Sequence, residues 1–302
     1  MDSDDHRENG PETTRIGRRT VLRGGAAAVG LAGFAGSAAA FDGDDGDITG
    51  PADFPRATTR GHFDIHWWDG DQLTDGHTEE DYDTVGDIPG YDGSAPDEVV
   101  ISVHGWLVEE SDAPDHFATV KQSLRDNGYD SPVIGFSYDS DTSLDDWWPA
   151  TDIAERNGKK LANFVTDYRE ETGARVRLVG HSMGGRVVSA TLKALYELGK
   201  TDYVESATLL GAATDNDAVA VDGEYGESVA AVAKSVDNFW KSDDDVLDWA
   251  YSTAEFDSAV GEEGCEGTPP VNYTDHNVDY VPDHFSYHEP GDGCMADVVS
   301  EF

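Results

Sequence analysis

The stretch Val176-Arg-Leu-Val-Gly-His-Ser-Met-Gly-Gly-Arg-Val-Val188 decides how the rest of the chain is read. Branched apolar residues, which favour a strand, run up to Gly180. Ser182 follows, boxed in by small residues, and Val187, Val188, Leu192 and Leu195 then recur at helical spacing. A strand that turns sharply into a helix strains the backbone at the turn, and only small neighbours fit there. Gly180-His181-Ser182-Met183-Gly184 therefore predicts an exposed hydroxyl at the C-terminal end of a strand.

The flanking sequence predicts an α/β domain. Strand-like runs at 98–106, 131–139, 175–182, 204–213, 236–242 and 271–281 alternate with helical patterns at 112–129, 153–173, 185–199 and 227–236. That alternation implies a mostly parallel central sheet with helices on both faces. Functional residues of such sheets gather at the carboxyl ends of the strands, where Ser182 falls. An early edge strand is expected at 61–69, and 70–97 reads as acidic loop. The expected organisation is a targeting segment over 1–40, an acidic arm over 41–60 and one domain over 61–302.

Charge narrows the function classes. The 302 residues hold 62 acidic and 20 basic side chains, a net charge of −42. The first 40 carry five arginines and five acids, so the acidity belongs to the body of the chain. Such a surface repels nucleic acid and anionic membranes. It is tolerable where salt screens it, since the screening length falls to about 3 Å at 1 M. The expectation is a protein working in concentrated salt with counterions at its surface. A calcium-binding acidic protein is the alternative, but no regular D-x-D-x-D-G loop occurs.

The segment holding Arg18-Arg19, a short Gly/Ala-rich apolar run and small residues up to Ala40 resembles a twin-arginine export signal. It implies a secreted protein. The run is too rich in small residues for a convincing membrane span, so no stable transmembrane anchor is expected. Cys265 and Cys294 would then meet an oxidising environment, and a bridge between them is expected.

A nucleophilic serine needs an oxyanion hole, a base and an acid. The backbone N–H of Met183 is one candidate donor. Val103-His104-Gly105-Trp106 ends an earlier strand, and its His-Gly pair resembles the oxyanion loop of lipases and esterases. Taken with Gly180 to Gly184, these residues resemble the α/β-hydrolase superfamily over about 98–290, in its exported lipase- and esterase-like branch. The resemblance implies Trp106 N–H as second donor and a chain order of Ser, acid, His. His104 is expected to hold the loop rather than act as base. In Asp-His-Phe-Ser-Tyr-His (283–288), His284 is the expected base and His288 the runner-up. Asp244 is the expected acid, by its place after the fifth strand, with Asp245 and Asp215 as alternatives. The implied reaction is cleavage of small-molecule or lipid esters through an acyl-enzyme, with no metal or cofactor required; the alternatives are an amidase, thioesterase or polyester depolymerase with the same triad, or a catalytically dead cell-surface binding protein on the same fold. Trp147 and Trp148 would wall an acyl pocket or pack as ordinary core.

Overall fold

The structure, a computed structural model, describes residues 48–302 apart from 67–69, 144–145 and 256. The expected targeting segment 1–40 and the first residues of the arm lie outside that range.

The centre of the sheet follows from residues that are apolar on both sides. Strand β5 (Glu98–Val103) is buried at all six positions, as a parallel strand covered on both faces must be. It pairs in parallel with β6 (Val133–Ser137) and with β7 (Arg175–His181), whose last residue precedes Ser182. Strands β8 (Val204–Leu210), β9 (Ala233–Trp240) and β10 (Tyr273–Asn277) continue the parallel array. On the other side stand β1 (Arg56–Thr58), parallel to β6, and β4 (Asp83–Val85), antiparallel to β1. Among the described residues the order is β10-β9-β8-β7-β5-β6-β1-β4. This is the mostly parallel α/β sheet that the sequence predicts.

The edge differs from expectation. The predicted strand at 61–69 is not in this sheet. Its described part, β2 (Phe63–His66), pairs with β3 (Gly70–Leu73) in a separate hairpin. Residues 56–58, expected within the arm, are instead the strand β1. The run Arg-Ala-Thr is short and carries no alternation to read, and it is fixed by pairing Arg56 to Gly135 and Thr58 to Ser137.

Helices cover both faces. One apolar cluster holds Ile101, Leu178 and Leu209 with residues of α2 (Trp147–Thr172), α3 (Met183–Glu197) and α4 (Gly226–Val232). The opposite cluster holds Val100, Val179 and Phe239 with α1 (Ala113–Asp126) and α7 (Met295–Ser300). Two short helices, α5 (Asp245–Ala250) and α6 (Val260–Glu263), lie between β9 and β10. No helix among the described residues is long and apolar enough to cross a membrane.

The two faces also explain the cysteines. Cys265 packs against the first cluster and Cys294 is buried in the second. Both are free thiols, which corrects the expected bridge. Sequence spacing placed them on either side of one segment; the sheet places them in different cores.

The crossing of α2 over α3 is close because Gly158 has no side chain. A Cβ there would stand 2.5 Å from the Ala190 Cβ and 2.6 Å from its carbonyl carbon. Gly158→Leu is therefore expected to lower the unfolding free energy by at least ~1–3 kcal/mol, read from urea unfolding at fixed salt. An unchanged midpoint would mean that the helices can separate freely.

Candidate active site

The turn after β7 is strained. Ser182 has φ 55° and ψ −125°, a conformation that costs a residue with a side chain roughly 1–3 kcal/mol. Three backbone hydrogen bonds hold it. Its N–H donates to Leu210 O at 2.9 Å, and its carbonyl accepts from Gly185 N (2.9 Å) and Ala213 N (3.0 Å). The neighbouring glycines are needed for contact. A Cβ on Gly180 would meet Gly184 O at 2.4 Å, and one on Gly184 would meet Val103 O at 2.4 Å. Ser182 thus sits where helix α3 begins, at the positive end of its dipole.

Two further side chains converge on it. His284 Nε2 lies 2.9 Å from Ser182 Oγ, and His284 Nδ1 lies 2.8 Å from Asp244 Oδ2. A carboxylate only accepts, so Nδ1 carries the proton and Nε2 presents its lone pair to the hydroxyl. Asp244 and His284 are both buried. Asp244 is the N-cap of α5, and its other oxygen accepts from Leu247 N at 3.1 Å. Tyr287 OH donates to Asp244 Oδ2 at 3.2 Å. Burial, and then the Asp244 carboxylate, push the Tyr287 phenol well up, so it stays a donor.

The alternatives lie elsewhere. Asp245 is the exposed first residue of α5. Asp215 accepts from Arg186 Nη2 at 3.1 Å, in a group where Arg186 also reaches Glu155, Tyr251 OH and Ala213 O. His276 pairs with Asp237 at 3.1 Å. His288 is buried beside His116 and His181.

The loop after β5 completes the site. A Cβ on Gly105 would stand 3.0 Å from Ser182 Cβ, so the His-Gly pair packs against the serine. His104 Nε2 lies 3.2 Å from Arg60 Nη2 and accepts from Tyr138 N at 3.3 Å, while Nδ1 donates to Gly105 O at 2.9 Å. An arginine only donates, so this tautomer is fixed and His104 supports the loop, as expected. Trp106 Nε1 donates to Thr142 Oγ1 at 2.6 Å, and its ring meets Trp147 edge-on at 5.4 Å. Trp147 is core; Trp148, its expected partner in an acyl wall, is 59% exposed.

Sequence reading missed two supports. Tyr287 stands three residues after His284 in a His-x-x-Tyr pattern, but its contact with Asp244 could not be read from it. His181 Nε2 donates to His284 O at 2.7 Å, tying the backbone of His284 to the residue before the serine. The repeated histidines were visible in the sequence, but their meeting depends on three separate elements.

A family described as "Protein of unknown function (DUF726)" matches residues 136–298, more than half the chain, and includes Ser182, Asp244 and His284 but not the loop after β5. The chain belongs to that family. Solved structures similar to this DUF726 member include a mature lipase of Bacillus licheniformis, at 17% identity and TM-score 0.44 over 68% of this chain and 91% of the lipase. Lipase B of Aspergillus fumigatus is similar at 12% identity and TM-score 0.42, over 70% and 57% of the two chains. A lipase-esterase related protein of Clostridium acetobutylicum is similar at 14% and 0.36, over 68% and 94%. No curated protein sequence matches this DUF726 chain.

Burial first, and then the Arg60 charge, hold His104 well below the usual imidazole range. Burial, and then neighbouring imidazoles, do the same for His116 and His181. The unfolded chain takes up protons near pH 6.5 that the folded chain refuses. Stability is therefore complete above that pH and falls below it, by up to ~1.4 kcal/mol per pH unit for each such imidazole. Urea unfolding at constant salt is expected to show this loss between about pH 6.5 and 5, above the range where ordinary carboxylates titrate. A flat profile there would contradict the neutral assignment.

Proposed function

We propose that this protein is a secreted, salt-adapted serine hydrolase that cleaves carboxylic esters of small molecules or lipids. The observation that carries the reading is the unbroken chain Ser182 Oγ–His284–Asp244, at 2.9 and 2.8 Å. His284 Nε2 takes the Ser182 proton as the oxygen attacks the ester carbonyl. Asp244 holds the imidazole in the required tautomer and stabilises the imidazolium that forms. The N–H groups of Met183 and Trp106 receive the oxyanion. His284 then protonates the leaving alcohol, and water, activated by the same imidazole, releases the acid and restores Ser182.

Ser182→Ala is expected to lower kcat on p-nitrophenyl esters by ~10⁴-fold or more and to abolish labelling by a fluorophosphonate, with the circular dichroism unchanged. Asp244→Asn, which favours the wrong tautomer, is expected to cost about 10⁴ in kcat. A wild-type protein that neither labels nor hydrolyses any ester would leave a binding protein on this fold. An ester chain-length series then separates esterase from lipase.

Salt adaptation is supported by the −42 charge alone. The unfolding midpoint is expected to climb through the molar range of NaCl or KCl, where the screening length drops to about 3 Å. If millimolar CaCl₂ matched molar NaCl, specific calcium sites would replace this explanation. Secretion follows from the twin-arginine-like segment, and its test is the location of the chain in a host carrying that export route, with Arg18 and Arg19 replaced by Lys.

A further inference from the structure

Three buried histidines meet behind the site. His116 comes from α1, His181 ends β7, and His288 closes the 3-10 turn Ser286–His288. One nitrogen of each lies within 4.8 Å of those of the other two. The ring centroids of His116 and His288 are 4.3 Å apart, and those of His181 and His288 are 4.9 Å apart. Nitrogens bound to one zinc at about 2.0–2.1 Å stand about 3.3–3.5 Å from one another, so shifts of about an ångström close the set.

The surroundings favour a ligand role. A ligating histidine almost always donates its other N–H to a carbonyl or carboxylate, which fixes the tautomer. His181 does this: Nε2 donates to His284 O at 2.7 Å and leaves Nδ1 its lone pair. After burial, the charges that act most on His116 and His181 are those of other histidines. A second cluster, His62 with His77 and Asp81, is different. There Lys160 Nζ lies 3.2 Å from His62 Nδ1 and 2.8 Å from Asp81 Oδ1, so an ammonium already holds the cation's place. The third, Asp237 with His276 and Glu301, is partly exposed and offers two carboxylates to one imidazole.

We propose that His116, His181 and His288 bind one Zn²⁺, with a fourth ligand from solvent. Three imidazoles suit zinc; calcium and magnesium take oxygen ligands. The ion joins α1, the end of β7 and the segment that carries His284. Its role is structural, and the acyl-transfer chemistry runs without it.

The test uses chelator-stripped full-length protein in molar KCl, with excess Mg²⁺ to occupy surface carboxylates. Calorimetric titration with ZnCl₂ is expected to give one equivalent per chain and a raised Tm. His116→Phe and His288→Phe are expected to lose both, whereas His77→Ala and His276→Ala keep them. Co²⁺ added to the wild-type protein is expected to give the strong visible bands of a tetrahedral, nitrogen-bound ion, a readout that does not depend on a variant folding. Absence of stoichiometric zinc, retention of zinc in both Phe variants, or an octahedral Co²⁺ spectrum would each overturn the proposal.

Discussion

Everything at the site hangs on the backbone of Ser182 being held at a positive φ. The hydrogen bonds that hold it come from Leu210 and Ala213, at and beyond the end of β8, and from Gly185 in α3. The contact that seats the His104-Gly105 loop against it comes from Gly105, after β5. Two sheet neighbours and one helix therefore converge on one strained residue. A parallel sheet permits this because β5, β7 and β8 all end on the same side. The strain is sustained by the core below it, where β5 is fully buried.

The parts of this arrangement that are local in sequence could be read from it. The elbow lies within five consecutive residues, and each glycine has a steric task that the spacing betrays. Asp244 could be nominated because it lies just past β9, in Asp244-Asp-Val-Leu247, and that pattern occupies only a few residues. Pairings that cross long distances could not be read. Nothing in Arg56-Ala-Thr58 announces a strand, because it is fixed by pairing with β6, 79 residues on, and with β4, 25–29 residues on. Cys265 and Cys294 are 29 positions apart in sequence, yet the sheet lies between their two cores. His284 and His288 are four positions apart, and the 3-10 turn Ser286–His288 gives them different neighbours: His284 lies against Ser182, His288 beside His116 and His181.

The charge of the chain acts on a different scale. With 62 acids and 20 bases, most carboxylates have no cationic side chain to pair with. Among the described residues, several of the cations are spent on tertiary contacts. Lys160 is fully buried and ties Thr78 and Asp81 to α2, and Arg186 gathers Glu155, Asp215 and Tyr251 OH behind the elbow. Specific ion pairs thus organise the interior, while the outer field is left for solvent ions to moderate.

The bond from His181 to the carbonyl of His284 makes His284 a passenger of the turn that carries Ser182. The side chain of the residue immediately before Ser182 grips the backbone of the residue that must stay 2.9 Å from its hydroxyl. A displacement of the strand end is then shared by both residues, and only the difference between their movements disturbs the His284–Ser182 distance. The geometry is protected against collective motion of the sheet without either residue being rigid in space.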